Sequence, residues 1–117
     1  MIVGITIGAV AEALLICEQG GADPAKVKEA ISGGFADSRV LQVHGQRMVE
    51  RDFKARARLT VQLKDMRNAL QTAAELNCEL PVTALLEKIY ASSVENGFAD
   101  LDQAGLYREL ERINGKG

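Results

Sequence analysis

The stretch Gln62–Leu70, with the sequence QLKDMRNAL, predicts an amphipathic α-helix and with it a helical fold. Extended over residues 60–77, it puts apolar side chains at i, i+3, i+7 and i+10 on one side, namely Leu63, Met66, Leu70 and Ala73. The opposite side is polar and carries Lys64, Asn68, Gln71 and Glu75. Lys64 and Asp65 stand side by side in the first turns of this helix, and they are the first candidates for a functional site.

Helical patterns continue on both sides of this stretch. Residues 2–19 have no polar residue apart from Thr6 until Glu12, so we expect this helix to be buried on all sides. Asp23-Pro24 has the chemistry of a helix start, and Gly20-Gly21, Asn77 and Gly97 have that of helix ends. No window alternates with period two over a useful length. The sequence therefore predicts an all-α domain of about six helices, at residues 2–19, 24–32, 38–51, 60–77, 81–96 and, after Asp100 or Asp102, to about 114.

Composition restricts the class of protein. The chain has 117 residues, enough for one domain with a real core. Aromatic residues make up only 4%, so the core must consist of aliphatic residues, Ala and Met, which favour closely packed helices. A formal net charge of -2 provides no basic field for nucleic acid and no polybasic patch for a membrane. We expect no partner of either kind.

The first helix also raises the question of a membrane segment. Glu12 and Glu18 interrupt its apolar run before the roughly 18 apolar residues that a membrane span requires, and no positive segment precedes it. It is expected to be neither a signal peptide nor an anchor. Cys17 and Cys78 have no CxxC spacing and are expected to be buried and reduced, as in a cytoplasmic protein.

Two further groups of residues are candidates for catalysis or ligand binding. His44 is the only histidine and has no second ligand or acid partner at helical spacing, so we expect a surface or half-buried structural role and no metal site. The segment Arg47–Arg58 carries five positive and two negative side chains. It could bind a phosphate or carboxylate, although such segments more often form ion pairs within their own chain.

Lys64 permits two interpretations. On composition alone it is a solvated lysine on the exposed side of an amphipathic helix. If the start of that helix points into a cleft, however, Lys64 and the free backbone N–H groups would together form an anion-binding mouth that suits a nucleotide cofactor. No Gly-rich phosphate loop or nucleophile–base pair accompanies it in the sequence.

Seven fragments then occur in a recognisable order over about residues 1–112. They are Ala11–Leu14; Gly21–Pro24; Ile31–Gly34 with Ser38 and Leu41; Met48-Val49 with Arg51 and Phe53; Lys64–Met66 with Ala69-Leu70; Leu80–Thr83; and Gly97 with Asp100. In this order they resemble the C-terminal domain of the β-hydroxyacid dehydrogenases, the family of 3-hydroxyisobutyrate dehydrogenase and tartronate semialdehyde reductase. The resemblance implies a fold like the C-terminal domain of 6-phosphogluconate dehydrogenase.

The resemblance also implies a function. In this family an N-terminal Rossmann domain binds NAD or NADP, and the active site lies in the cleft between that domain and the helical one. Residues 1–117 would then be the helical substrate and dimerisation domain, with the Rossmann domain absent. The substrate would be a small β-hydroxy acid or its semialdehyde, of the 3-hydroxyisobutyrate or 2-hydroxy-3-oxopropionate type. By the family motif, Lys64 would contact the cofactor and Asp65 would form part of the active-site wall.

The general acid/base lysine of the family, and the asparagine that follows it, would fall just before Met1. No catalytic residue is therefore expected within the chain, and the fragment alone is expected to be inactive. One position departs from the family: Ala57, eight residues before Asp65, replaces an aromatic residue that lines the closed cleft in many relatives. This difference bears on substrate identity and on how tightly the cleft closes.

The apolar first helix needs a cover, and the family provides one by forming dimers. We therefore expect a homodimer or higher homo-oligomer. The alternative hypothesis is a stand-alone helical module that only self-associates and has no catalytic role. Helix-turn-helix DNA binding is a weaker alternative, because the basic segment lies in a predicted loop rather than on a recognition helix.

Overall fold

The computed structural model describes residues 1–116 and contains six α-helices with short connections. They are α1 (Ile2–Gln19), α2 (Pro24–Ile31), α3 (Gln46–Glu50), α4 (Leu59–Glu75), α5 (Pro81–Ser93) and α6 (Leu106–Ile113). A π-helical turn, Leu41–Gly45, precedes α3, and a 3-10 turn, Gln103–Gly105, leads into α6. Between α5 and that turn, the segment Val94–Phe98 departs from helical geometry at Asn96 and at Gly97, which has a φ of +95°. Extended pairing in residues 1–116 is limited to one isolated bridge, between Arg58 and Asp102. The all-α prediction is confirmed.

Local chemistry ends and begins these helices where the sequence predicts. The Asp23 carboxylate accepts the N–H of Ala25 at 3.0 Å and so caps α2. Gly21 follows α1 with a φ of +93°, a conformation that glycine adopts without steric cost. Asn77 takes the same left-handed conformation after α4, with a φ of +54°.

The core forms around the inner face of α1, which packs against α2, α5 and α6. Ile7 and Ala11 on this face are 0% exposed and Leu14 is 1% exposed. The outer face is different, since Ile2 and Ile16 are 77% and 72% exposed. The expectation that α1 is buried on all sides is therefore wrong for this chain by itself. Helix α1 is long and apolar enough to span a membrane by length and composition alone, a test that core helices also pass.

Two glycines let α1 approach its neighbours closely. A Cβ atom on Gly8 would lie 2.7 Å from Cδ1 of Leu86 in α5, and one on Gly4 would lie 2.5 Å from Nε2 of Gln62 in α4. The Tyr90 hydroxyl donates to the carbonyl oxygen of Gly4 at 2.8 Å, which ties α5 to the same part of α1. The glycines therefore serve close packing within the domain.

The expected burial of the two cysteines is wrong. Cys78 is exposed in the turn between α4 and α5, and Cys17 is half-buried near the end of α1. Both are free thiols. Helical periodicity does not show which positions the other elements of the fold leave uncovered, and it therefore predicted the exposure of neither cysteine.

We predict that Gly8→Ala lowers the free energy of unfolding by about 1 kcal/mol. The extra methyl group gains up to about 1 kcal/mol of helix propensity, but overpacking against Leu86 costs roughly 1–3 kcal/mol. Urea denaturation of the single variants and of the Gly8→Ala/Leu86→Ala double variant measures the balance. In the Leu86→Ala background the methyl group has room, and we expect it to be stabilising there. Stabilisation in both backgrounds would show that Leu86 does not restrict position 8.

Candidate functional site

Helix α4 carries the candidate pair Lys64 and Asp65 on its exposed side. The helix begins at Leu59, which is 0% exposed and anchors the first turn in the core. Leu63 and Met66 are buried on the inner side, as the apolar stripe predicts. Lys64 is the sixth helical residue, so the pair lies in the second turn of α4. Within residues 1–116 neither side chain takes part in an ion pair (N–O distance of 4.0 Å or less).

The backbone N–H groups at the start of α4 are largely occupied. The N–H of Leu59 donates to the carbonyl oxygen of Leu101 at 3.0 Å, and those of Val61 and Gln62 donate to the carbonyl oxygen of Arg58 at 3.1 and 3.4 Å. The expectation of a mouth lined by free N–H groups is therefore wrong for these three. The positive charge that remains available near this end of α4 is on side chains.

The basic segment before α4 forms ion pairs, as one of the two interpretations predicted. Arg47 pairs with Asp102 at 3.2 Å, and Arg51 pairs with Glu111 at 3.0 Å. The closest pair joins Arg56 to Asp52 at 2.6 Å, and Arg58 lies 3.9 Å from Asp100. Most of the positive charge in this segment is thus paired with carboxylates of the same chain.

Asp102 is the most highly connected carboxylate near this segment, and it is 0% exposed. It accepts the N–H groups of Arg56 at 3.2 Å, Ala57 at 3.3 Å and Ala104 at 3.0 Å. Arg47 adds a charged donor at 3.2 Å. Burial opposes ionisation of Asp102, but these three N–H groups and the Arg47 charge outweigh it and hold the pKa of the carboxyl below its usual value.

The sequence anticipated only part of this role. Asp102 was one of two candidates for the cap of the last helix, and its bond to Ala104 confirms that it caps the turn leading into α6. Its hydrogen bonds to the loop before α4 join it to Ala57 and Arg56, which lie 45 and 46 positions earlier in the chain. A contact of that separation has no local sequence signal. Ala57 itself is exposed, beside the start of α4.

His44 is half-buried, in agreement with the structural role expected for it. Its Nδ1 atom is buried and has no hydrogen-bond partner within the described residues. Burial lowers the pKa of the imidazole, with Asp102 opposing this and Arg47 adding to it. Among residues 1–116, no three His, Cys, Asp or Glu side chains are grouped so that they could hold one metal ion.

A second surface feature is an apolar groove of about 670 Å³ between α1, α5 and α6. Its lining includes Ala9, Ala13 and Ile16 from α1, with Ile89 and Ile113 opposite. An adjoining apolar depression adds the side chains of Val82 and Leu85. Val82, Leu85 and Ile113 are 54%, 58% and 56% exposed. All three belong to one open apolar face, and Ile113, at the end of α6, does not point into the core.

Comparison with known proteins agrees with this helical architecture. A sequence model described as NAD-binding of NADP-dependent 3-hydroxyisobutyrate dehydrogenase matches residues 1–110. The 3-hydroxyisobutyrate dehydrogenase of Salmonella typhimurium superimposes with a TM-score of 0.88 over 92% of this chain and 38% of its own, at 20% identity. That identity supports the fold alone.

Similarity in sequence is higher for two other proteins. The 2-hydroxy-3-oxopropionate reductase of Escherichia coli is 42% identical over 111 residues, which are 95% of this chain and 38% of that protein. The probable 3-hydroxyisobutyrate dehydrogenase-like 2, mitochondrial, of Arabidopsis thaliana is 34% identical over 97% of this chain and 36% of its own length. The fold class is thus that of the helical domain of the β-hydroxyacid dehydrogenases. The chain belongs to the 3-hydroxyisobutyrate dehydrogenase family and spans less than two fifths of the length of these relatives.

Asp102→Asn should make the chain less sensitive to acid. Because the pKa of Asp102 is lower in the folded state than the ordinary value of 3.8, the unfolded chain takes up this proton first. The stabilisation from the carboxylate is complete above that value and is lost as the pH falls through the folded pKa. We expect Asp102→Asn to cost about 3 kcal/mol at pH 7. The difference from wild type should shrink below about pH 4. Urea denaturation at a series of pH values measures both, and a difference that stays constant down to pH 2 would contradict the role of the carboxylate.

Proposed function

We propose that this chain is the helical domain of an NAD(P)-dependent oxidoreductase acting on a small β-hydroxy acid or its semialdehyde. The observation that carries the proposal is the family match over residues 1–110, together with 42% identity to a 2-hydroxy-3-oxopropionate reductase. The substrate is of the 2-hydroxy-3-oxopropionate or 3-hydroxyisobutyrate type. The dinucleotide is held mainly by a second, N-terminal domain, and the reaction takes place between the two.

Lys64 and Asp65 fit a position beside the cofactor. The Lys64 ammonium is exposed and is not engaged by a carboxylate of residues 1–116, so it is available to an anionic group of NAD or NADP. Asp65 is also exposed and orders the adjoining wall of the cleft. The bound nicotinamide supplies the hydride acceptor or donor. The contribution of this chain is to bind and orient, because α4 is anchored by buried residues on its inner side.

We also propose that the general acid/base is a residue outside the described part of the chain. Burial raises the pKa of Tyr90 and of Tyr107, which makes both phenols poor bases near neutral pH. By the family resemblance, that residue is a lysine in the N-terminal part of the whole protein. Residues 1–117 alone should form no complete active site and show no turnover.

Lys64→Ala in the full-length protein is expected to raise the KM for NADH or NADPH by roughly tenfold and to change kcat less, since it removes a binding contact. Steady-state kinetics with small semialdehydes provides the measurement. Lys26→Ala is the matched control, because Lys26 is also an exposed lysine, on α2. Identical kinetics of the two variants would show that Lys64 is an ordinary solvated lysine without a role in cofactor binding. No turnover by the full-length protein would favour the self-association module instead.

We further propose that the apolar face between α1, α5 and α6 is covered by a second copy of this chain. Ile16, Leu85 and Ile113 are each more than half exposed on that face, and among the described residues that line the groove only Glu12 is charged. A surface of this kind loses little charge solvation on burial and is typical of an interface. A two-fold axis would bring the same face of both copies together.

Ile16→Asp should weaken this dimer strongly, because the carboxylate would be buried in an apolar interface without a partner. Leu76→Asp is the matched control, since Leu76 and Ile16 are both 72% exposed but Leu76 lies at the end of α4, outside the groove. Light scattering across a dilution series should give a dimer or larger assembly for wild type and Leu76→Asp. A monomeric wild type, or equal dissociation of both variants, would contradict this interface.

A further inference from the structure

We propose that Asp102 is a positioning residue for cofactor binding, which fixes the loop before α4 and the start of α4 itself. The inference rests on the proposed function and goes beyond it, because Asp102 belongs to the segment before α6 and touches neither Lys64 nor Asp65 through a hydrogen bond. The observation behind it is a fully buried carboxylate that accepts two backbone N–H groups of an exposed loop.

The contacts within the loop are exposed ones: Arg56 pairs with Asp52 at 2.6 Å and donates to the carbonyl oxygen of Lys54 at 3.0 Å. All five residues from Lys54 to Arg58 are exposed, and the nearest buried side chains are Phe53 and Leu59 at its two ends. A loop with so little buried apolar surface is ordinarily mobile. Its support from buried groups therefore comes from hydrogen bonds with the segment that lies against it.

The segment Leu101–Gln103 provides those bonds on both edges of the loop. The Asp102 carboxylate accepts the N–H groups of Arg56 and Ala57 at 3.2 and 3.3 Å. In the other direction, the N–H of Asp102 donates to the carbonyl oxygen of Phe53 at 3.0 Å, and that of Gln103 donates to Ala57 at 2.9 Å. Ala57 is thus bonded through both its N–H and its C=O.

The charge of Asp102 exceeds what its helix-capping role requires. A neutral Asn or Ser could accept the single N–H of Ala104, which is all that the turn into α6 asks of a cap. A buried carboxylate costs desolvation, and that cost is offset here by donors from three segments: the loop, Ala104 and Arg47. The anion therefore serves to join the loop to the rest of the domain.

The same segment fixes the beginning of the helix that carries Lys64. Leu101, the neighbour of Asp102, accepts the N–H of Leu59, the first residue of α4. Lys64 follows five residues later on the same helix. Loosening of Asp102 therefore frees the loop and weakens the bond between Leu101 and Leu59 at the start of α4, near the side chain proposed to bind the cofactor. Binding contacts made by such side chains depend strongly on their placement.

The test compares Asp102→Asn with Glu109→Gln in the full-length protein. Glu109 is also a 0% exposed carboxylate, but it bonds to Ser92 and Arg112 and not to the loop. Amide hydrogen exchange of residues 54–62, the Kd for NADH and NADPH by fluorescence titration, and KM against kcat are measured for each. Asp102→Asn should speed exchange in this segment and raise the cofactor Kd and KM by about tenfold, with kcat changed by less than about twofold. Glu109→Gln should lower the Tm without these changes.

Each other result counts against the role of Asp102 in a distinct way. Faster exchange with an unchanged cofactor Kd would show a structural carboxylate only, and an equal rise in Kd for Glu109→Gln would show a general loss of stability. Failure of the wild type to bind either cofactor would overturn the proposed function as well. If Asp102→Asn does not fold, Arg47→Gln replaces it, because it removes the charged donor and retains the three N–H bonds. That variant should show the same changes at smaller size, and wild-type values of exchange and Kd would overturn the proposal.

Discussion

Burial of the inner face of α1 is the constraint on which the rest of the structure depends. Ile7, Ala11 and Leu14 are removed almost completely from solvent, and each fully buried side chain as large as Ile or Leu contributes about 1.5–3 kcal/mol. Gly4 and Gly8 allow the neighbouring helices to come close enough for this burial. The remaining helices are arranged around one side of α1, which leaves its outer side to form the wall of a groove. The candidate dimer interface is thus a direct result of how the core is built.

The sequence predicted the helices well because their signals are local. The stripe of Leu63, Met66, Leu70 and Ala73 needs only the helical period, and the starts at Asp23 and the stops at Gly21 and Asn77 need only capping chemistry. Exposure was predicted less well. Periodicity shows that Val82, Leu85 and Ile113 are apolar and on one side of their helices, but it does not show whether another element covers that side. The same limitation explains the exposed Cys78.

The candidate site divides in a similar way. The exposed positions of Lys64 and Asp65 follow from the apolar stripe on the other side of α4, so the sequence alone could predict them. The ion pairs of the basic segment were predicted as a class, but their partners were not. Asp102 is 55 residues from Arg47, and Glu111 is 60 residues from Arg51. Contacts of that separation depend on how the helices pack, and this is why the connection between Asp102 and the loop had no signature in the sequence.

The packing of α1 against α6 joins the first and last helices of this domain. A hydrogen bond from the Tyr107 hydroxyl to Glu18 spans 89 residues of the chain. During synthesis, α1 leaves the ribosome long before α6 exists, and at roughly 5–20 residues per second that interval lasts on the order of 5–20 seconds. Throughout it, the most apolar helix of the domain lacks one of the surfaces that bury it. Folding of this domain is therefore completed only after its C-terminal helix has been made, and α1 is the segment that a chaperone would have most reason to protect.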